Sequence, residues 1–468
     1  MRRAFALFST SIALTAAVAC ATADDGFSAT PSPDAGPTIL SDDGATDSGP
    51  GDAGPPAVPS CSSAGWCKTS LPDTDLTLKD IWPFERRAFA IAESPTLGVK
   101  VLEWDDAKRA WAYIDDDSQN SFEDDTSAGK IWAPNENEIY FGAGPGFIHH
   151  GKRTAPSSPW SWTRTKLEVD SPDGRDRGRI GYWNRSGLMR EETALGVWGT
   201  SATDVYAWYA NTIFRWKSED GGAPSWVAEH VIEDPATPED AFFVFGASGS
   251  GNDDVWFAAG RGRFVDWNIF RCPMVIHKTK AGYDRVVDNM IDTGDTESFY
   301  YDTCIEKKGV LAFSWANADG TMHWGNGGFL TNIESAGPGR AVGVVGEDLF
   351  AYVESAGVAR VNPVGAHVPR ARLPSLVNSV WIHGQTAWLS GWGIVLEAPK
   401  DPAKWSTGFG LLSKDGAQQL GLPAATFTFS STAINGAPLD KPLYQVRGTS
   451  NTNLWAIGRE YALHKTTP

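Results

Sequence analysis

Short apolar runs, rich in aromatic and β-branched residues, recur along the chain between clusters of Gly, Ser, Thr, Asn and Asp. One run aligns eight times, as RAFAIA, EIYFGA, DVYAWY, DVWFAA, VLAFSW, DLFAYV, TAWLSG and NLWAIG. Its aligned position is aromatic in seven of eight cases and is occupied by Phe89, Tyr140, Tyr206, Trp256, Leu311, Phe350, Trp388 and Trp455. These runs predict β-strands, and no long stretch has the 3.6-residue apolar period of a helix.

The spacing of the runs predicts a closed ring of sheets. Most aligned runs lie between two other strand-like runs, and the set repeats at intervals of roughly 40 to 60 residues. A small sheet buries neither of its faces alone, whereas radial stacking covers both faces with neighbouring sheets. We therefore predict an all-β fold, a single β-propeller of eight blades. Seven blades is the alternative, if the stretch from 295 to 335 is an insertion.

The two ends of the repeat region predict how the ring closes. The last run, YALHKTTP, ends the sequence and leaves its blade one outer strand short. An unassigned strand-like piece, GWCKTSL at 65–71, precedes the first run. We expect this N-terminal strand to complete the last blade, because pairing the two ends removes an open sheet edge.

The first sixty residues predict export and tethering. Residues 1–19 carry Arg2 and Arg3 before an apolar run too short to span a bilayer, as in a signal peptide. The run ends in AVAC, which resembles the lipobox of bacterial lipoproteins and implies lipidation of Cys20, although Ala17 stands where leucine is commoner. Residues 20–60 would then be the lipid anchor and a disordered tether, with seven aspartates and no Lys or Arg. Residues 61–468 form the predicted propeller.

Localisation and partner class follow from the leader and the charge. We expect an exported protein anchored to the outer membrane, on its periplasmic or its cell-surface side, or else a secreted protein. The formal net charge is −17. A chain this acidic is a poor ligand for nucleic acid or for anionic lipid surfaces, so membrane contact is expected only through the lipid anchor.

Four further cysteines predict two disulfides, because an even count is typical of exported chains. They are Cys61, Cys67, Cys272 and Cys304, which allow three pairings. The local pairs Cys61–Cys67 and Cys272–Cys304 fit the repeat pattern best. Zinc is the alternative, but neither pair has the CxxC spacing of zinc ligands.

Motifs for catalysis and cofactors are sparse. The sequence contains no HExxH, GxSxG or CxxC motif, so an enzyme is less expected than a binding protein. We expect no cofactor, with calcium as the exception to consider. The loop DDDSQNSFEDD offers Asp115, Asp117 and Glu123 as oxygen ligands, but it lacks the glycine and closing glutamate of an EF-hand.

Two arginine-rich stretches, GRDRGRIGYW and GRGRFVDW, are the candidate ligand site. Both are predicted to lie in connections on the same face of the disc. Guanidinium groups beside aromatic rings could hold an anionic or sugar ligand. The alternative is that these arginines pair with the surplus of Asp and Glu. The candidate residues are Arg175, Arg177, Arg179, Tyr182, Trp183, Arg261, Arg263 and Trp267.

Three sequence segments resemble repeats of known protein families. VWGTSATDVYAW and RGTSNTNLWAIG resemble repeats of exported lipoproteins of predatory and soil bacteria, especially myxobacteria. They are more distantly similar to photosystem-assembly-factor-like propellers. SEDGGAPSW at 218–226 resembles the Asp-box of sialidase-type propellers, but Trp226 lies one residue late. The resemblance implies a propeller and carries no known active site.

The expected function is a monomeric binding module for a protein or glycan of the cell envelope. A polysaccharide hydrolase or lyase is the first alternative, and a structural envelope protein is the second. Two or more buried carboxylates facing the channel would favour the hydrolase or lyase. A face lined by aromatic rings and arginines would favour binding.

Overall fold

The computed structural model describes residues 61–467 with gaps at 122–125, 170–177, 184–188, 219–220, 266–267, 294–303, 317–321, 325–327, 347–348, 365, 368–375, 402–404, 406–410, 413–426 and 435–438. Residues 1–60, with the predicted signal peptide, Cys20 and tether, lie outside this range. Over the described residues the fold is all-β, apart from a single 3₁₀ turn at Ser118–Asn120. In that part of the chain, no helix has the length and apolarity needed to cross a bilayer.

Seven antiparallel sheets form the blades, which we number 1 to 7 in chain order. The strands of blades 1 to 4, from the centre outward, are Thr77–Pro83, Arg87–Ser94, Gly98–Asp105 and Ala110–Tyr113; Ala128–Asn135, Glu138–Ala143, Phe147–Lys152 and Ser161–Lys166; Leu195–Ser201, Asp204–Tyr209, Thr212–Lys217 and Ser225–Val231; and Ala241–Gly251, Asp254–Val265, Asn268–Thr279, Gly282–Ile291 and Cys304–Glu306.

Blades 5 to 7 complete the set, and the last draws its outer strand from the N-terminal side. Their strands are Leu330–Gly337, Arg340–Val345, Leu349–Glu354 and Val358–Pro363; Val377–His383, Thr386–Gly391, Val395–Pro399 and Thr428–Ser430; and Leu443–Ser450, Asn453–Gly458, Tyr461–Lys465 and Trp66–Lys68. Among the described residues, two hairpins and one short parallel pair lie outside the blades, at Arg179–Trp183 with Met189–Thr193, Ser314–Ala316 with Met322–Trp324, and Ala366–His367 with Leu411–Leu412.

The prediction of eight blades is wrong, because the ring closes with seven. The first strand of each blade packs against the first strand of the next, and blade 7 packs against blade 1. The run at 310–315 belongs to an insertion after blade 4. Its Leu311 bridges Val287 on the outer part of blade 4, and Phe313 is buried between blades 4 and 5. An apolar run that fills a gap between blades has the same composition as a strand, so the pattern alone counted it as a blade.

Blade 5 also differs from the predicted alignment. Phe350 lies in the third strand of that blade, and Val342 in the second strand takes the position that aromatic residues hold elsewhere. The aligned aromatic residues of blades 1, 2, 3, 4, 6 and 7 all lie in second strands, as the repeat predicts. Valine is as compatible with a buried strand as an aromatic residue is, so the composition of blade 5 allowed a shift by one strand.

Ring closure follows the predicted route. Trp66 pairs with Lys465 in antiparallel register, so the N-terminal strand is the outer strand of blade 7. The Thr69 hydroxyl donates to the Ala462 carbonyl at 2.9 Å. The Trp66 side chain is fully buried, and its indole N–H donates to the Ser430 hydroxyl of blade 6 at 2.9 Å.

Both predicted cysteine pairs are disulfides. Cys61–Cys67 lies beside the closing strand, and Cys272–Cys304 ties the insertion to the third strand of blade 4. Cys304 begins a short fifth strand on the edge of that blade, in register with Ile291. The disulfide therefore links the fifth strand of blade 4 to the third strand of the same blade.

Candidate functional site

One position in each first strand lies opposite the aligned position of the second strand. The cross-strand partners of Phe89, Tyr140, Tyr206, Trp256, Val342, Trp388 and Trp455 are, in the same order, Trp82, Trp132, Trp198, Ser248, Glu334, Trp381 and Arg447. We call these seven residues the funnel ring. Tryptophan occupies the position in four blades, whereas blades 4, 5 and 7 carry a serine, a glutamate and an arginine.

Six of the seven funnel-ring residues line one concave site at the centre of the disc. Its volume is about 350 Å³, and Trp132 is the only funnel-ring residue outside its lining. Backbone of Gly199 and Gly249, next to the ring in blades 3 and 4, completes the rim. A Cβ at Gly249 would come within 2.5 Å of the Asp254 carbonyl oxygen, so only glycine allows this close approach to the second strand of blade 4. The accessible lining of this concave site is more polar than apolar, so a ligand there would be held mainly by hydrogen bonds.

Arg447 is held in place by neighbouring blade 1. Its guanidinium donates to the Ile81 carbonyl at 3.0 Å and lies 3.6 Å from Asp80 Oδ1. The same group lies over the Trp82 ring, 4.7 Å from its centroid. Stacking on an indole and contact with two oxygens fix the side chain before any ligand arrives.

Glu334 is a half-buried carboxyl group in the funnel wall. Burial raises its pKa to about 7, against the opposing effects of Arg447 and of a hydrogen bond with Ser248. The Ser248 hydroxyl also accepts the Ser335 backbone N–H at 3.1 Å, which fixes its position. Near neutral pH this carboxyl group can therefore donate as well as accept hydrogen bonds.

Below the funnel, the channel narrows to a cavity of about 20 Å³, room for roughly one water molecule. Asp80, Lys130 and Gln445 are among its lining residues, with Arg447 and Trp198 shared between cavity and funnel. The Asp80 carboxylate accepts the Ile131 backbone N–H at 3.0 Å. A ligand larger than water is therefore confined to the funnel.

The funnel opens where the first strands end, on the face opposite to the predicted arginine site. In blade 4 the start of the first strand pairs with the end of the second, so Ala241 is opposite Gly262. Arg261 and Arg263 therefore lie at the other end of the channel from Ser248. Near them, Phe243, Phe245 and Phe329 form a buried apolar cluster with Ile180 of the hairpin that contains Arg179.

Arg261 cannot contact a ligand in this structure, because its side chain is fully buried. Its guanidinium binds Asp288 at 2.6 Å, Asp240 at 2.9 Å and Asp234 at 3.0 Å. Lys307 from the insertion also binds Asp234 and Asp288. We call these five residues the blade 4 ion cluster. Arg261 therefore fits the alternative interpretation, in which the arginines pair with acidic residues of the chain.

The other candidate binding residues are only partly described. Arg263 binds Asp240 at 2.7 Å and Glu239 at 3.0 Å, and Arg179 pairs with Glu191 on its own hairpin. The backbones of Tyr182 and Trp183 lie in the same hairpin as Arg179. Arg175, Arg177 and Trp267 lie outside the described residues.

At the candidate calcium ligands Asp115 and Asp117, the carboxylates bind the ammonium group of a lysine. Lys100 Nζ lies 3.0 Å from Asp115 Oδ1 and also binds Asp117. The third candidate, Glu123, lies outside the described residues. No group of three potential metal ligands occurs within the described part of the chain.

The sequence contained a signal for the funnel ring. Once the second-strand runs are aligned, the residue opposite the aromatic can be read across the turn, and it gives four tryptophans, with Ser248 and Arg447 as departures. Glu334 is not found in this way, because the aligned run of blade 5 is its third strand. Aligning only the second strand of each repeat left this position unread.

No protein-family model matches the sequence, and no curated protein matches it. Solved structures similar in fold include YCF48 bound to D1 peptide, at 12% identity over 88% of this chain and 100% of that chain, with a TM-score of 0.47. YCF48 from Cyanidioschyzon merolae is 11% identical over 86% and 98%, with a TM-score of 0.42. The WD40 β-propeller domain of Doa1 is 11% identical over 86% and 96%, with a TM-score of 0.43. These similarities concern the fold alone.

Proposed function

We propose that the protein is a binding module of the bacterial cell envelope and that it takes a protein or glycan ligand in the funnel. The observation that carries this proposal is the funnel ring. Six of the seven equivalent positions line one opening, and the three that depart from tryptophan supply a hydroxyl, a carboxyl and a guanidinium group. Fixed polar groups among aromatic walls favour selective binding.

Catalysis of polysaccharide cleavage is less well supported. Two carboxylates, Asp80 and Glu334, do face the channel. However, Asp80 lies in the narrow cavity, where it binds the Ile131 amide and pairs with Arg447. Glycoside hydrolysis needs two carboxyl groups on either side of one bond. Glu334 is the one carboxyl group among the described residues that line the funnel.

The experiment for the binding function compares the wild-type protein with Glu334→Gln. The full chain is immobilised and exposed to solubilised envelope fractions of the source cells, and retained proteins and glycans are identified. Trp226→Phe, on the outer strand of blade 3, is the matched control. A component retained by wild type and control but not by Glu334→Gln supports the proposal. Equal retention by all three contradicts it.

Anchoring is the second part of the proposal. The leader, the AVAC sequence and the acidic stretch 21–60 support a lipid on Cys20 and a tether that holds the propeller away from the membrane. Replacing Cys20 with serine should release the protein into the soluble fraction. Persistent membrane association of Cys20→Ser would contradict the anchor without affecting the funnel proposal.

A further inference from the structure

The backbone facing the channel is already hydrogen-bonded. At four blade junctions, a first-strand side chain accepts the first-strand N–H of the next blade. The pairs are Asp80 with Ile131 at 3.0 Å, Ser248 with Ser335 at 3.1 Å, Asn332 with Val380 at 2.9 Å, and Ser379 with Val446 at 2.9 Å. An extended peptide binds a sheet edge through such backbone groups. These four groups are occupied, so a ligand must contact side chains at these junctions.

The available side chains are planar and rich in hydrogen-bond donors. The indole N–H groups of Trp82, Trp198 and Trp381 have no hydrogen-bond partner among the described residues. None of the three nitrogens is completely buried, so each N–H can reach a ligand. The ring faces themselves are largely covered, because Trp198 and Trp381 are only 8% and 6% exposed and the Arg447 guanidinium lies over the Trp82 ring. The three tryptophans therefore contribute mainly their indole N–H groups to the funnel. The hydroxyls of Thr200 and Ser250 lie on the same rim and can act as acceptors, since they already donate to Asp204 and Asp254.

The charge of the funnel favours a neutral ligand. It holds one guanidinium, that of Arg447, and one carboxyl group, that of Glu334. The chain as a whole carries a formal charge of −17, which repels polyanions at long range. A polycation would meet Arg447 inside the funnel. A neutral ligand faces neither penalty.

We propose that the ligand is a neutral pyranose sugar unit of an envelope polysaccharide, an inference that rests on the proposed function. Hydroxyl groups of the sugar accept hydrogen bonds from the indole N–H groups of the funnel. These hydroxyl groups also bind the carboxyl group of Glu334, the guanidinium of Arg447 and the hydroxyls of the rim. A neutral sugar ring carries many hydroxyl groups, and these match the hydrogen-bond donors and acceptors of the funnel wall.

The test is titration of the full chain with neutral tetrasaccharides of glucose, mannose and N-acetylglucosamine, followed by tryptophan fluorescence and calorimetry. We expect saturable binding of at least one of them, with a fluorescence change. Glu334→Gln and Trp82→Phe should each weaken binding about tenfold, because each removes one contact with the sugar. Trp226→Phe, a tryptophan on an outer strand, is the control and should bind like wild type. Circular dichroism verifies that each variant is folded.

Three results would overturn the sugar assignment. The first is no binding of any neutral tetrasaccharide. The second is equal binding by wild type, Glu334→Gln and Trp82→Phe. The third is stronger binding of alginate, a polyanion, than of every neutral sugar. If an envelope protein is retained in a Glu334-dependent way while no sugar binds, the sugar assignment fails and the binding function stands.

Discussion

The imidazole of His277 stacks face to face on the indole of Trp256, with ring centroids 3.7 Å apart and planes 7° from parallel. The two residues are cross-strand partners on the second and third strands of blade 4. Asp254, two residues before Trp256, binds His277 Nε2 at 2.7 Å and the Trp256 indole N–H at 3.0 Å, and it also accepts the Ser250 hydroxyl. One carboxylate thus orients both rings that fill the blade.

The same arrangement recurs in other blades with different residues. His464 stacks on Trp455 and binds Asn453 in blade 7, and His150 stacks on Tyr140 in blade 2. In blade 3 an arginine replaces the histidine, with Arg215 bound to Asp204 at 2.9 Å beneath Tyr206. This polar network explains why the repeats share a polar residue two places before the aromatic.

Asp254→Ala should destabilise the protein by about 2–4 kcal/mol, because it leaves the His277, Trp256 and Ser250 donors without their acceptor. Chemical denaturation with a tryptophan signal measures the loss. The matched control is Asp253→Ala, since this exposed neighbour makes only long ion pairs of 4.0 and 3.8 Å. We expect less than about 0.5 kcal/mol for the control. Equal effects of the two substitutions would contradict the ring-orienting role of Asp254.

His464 should make the protein sensitive to mild acid. Burial lowers the pKa of His464 from 6.5 to about 4, so the unfolded state binds more protons than the folded state between these values. Stability therefore falls as the pH drops from 6.5 towards 4, by up to about 3 kcal/mol for this residue. His464→Gln should lose less stability than wild type between pH 7 and pH 5 in urea denaturation. Parallel pH curves would show that His464 is not responsible.

Glu334 should have the opposite effect on stability. Its pKa is raised from 4.5 to about 7, so the folded state holds the extra proton between these values and stability falls as the pH rises through them. Glu334→Gln removes the penalty of ionising a half-buried group. The variant should therefore exceed wild type by about 2–3 kcal/mol at pH 8 and equal it near pH 4.5. Lower stability of the variant at pH 8 would mean that the ionised carboxylate is well stabilised.

The blade 4 ion cluster predicts a large effect of one substitution. Burial opposes ionisation of Asp234, yet hydrogen bonds from Lys307 and Arg261 hold its pKa below the usual value. Arg261→Met should cost about 3–5 kcal/mol at pH 7, because it leaves buried carboxylates without their main partner. The deficit relative to wild type should shrink as the pH falls, because protonation of Asp234 removes the negative charge that Arg261 neutralises. A deficit that is independent of pH would indicate lost packing instead.

Arg263→Met is the matched control for this cluster, since the side chain is more exposed and contacts two carboxylates at its edge. It should cost no more than about 1–2 kcal/mol. An equal or larger cost than that of Arg261→Met would place the centre of the cluster at Arg263.

The repeated aromatic runs were sufficient to predict the fold class and the closing strand. They were not sufficient to predict the number of blades, because Phe313 and its neighbours fill the space between blades 4 and 5 with the same residue types that build strands. A strand is distinguished from such a filler by its hydrogen-bonded partners, and these are not encoded in composition. The aromatic repeat gives the number of apolar runs in the sequence, whereas the number of blades equals the number of hydrogen-bonded sheets.

The candidate site was harder to predict than the fold. Arginines in an acidic chain suggested a ligand, but Arg261 is buried among three aspartates that are 21 to 27 residues away in sequence. Glu334 and Arg447 lie 113 positions apart in the sequence. They line the same funnel only because the blades close into a ring. Burial and convergence depend on the tertiary fold, so they were not readable from charge clusters.

We expect the Trp66 side chain to contribute strongly to the stability of the closed ring. Its side chain is fully buried, lies edge-on to Trp388 with centroids 6.2 Å apart, and donates its indole N–H to Ser430, so it joins the N-terminal strand to blade 6. Trp66→Ala should destabilise the protein by about 3–5 kcal/mol, through a cavity and a lost hydrogen bond. Trp66→Phe keeps most of the volume and should cost less than half as much. Lys68→Ala, on the exposed end of the same strand, is the control, with a change expected within about 0.5 kcal/mol. If Trp66→Ala is as mild as Lys68→Ala in chemical denaturation, the ring is held closed without this strand.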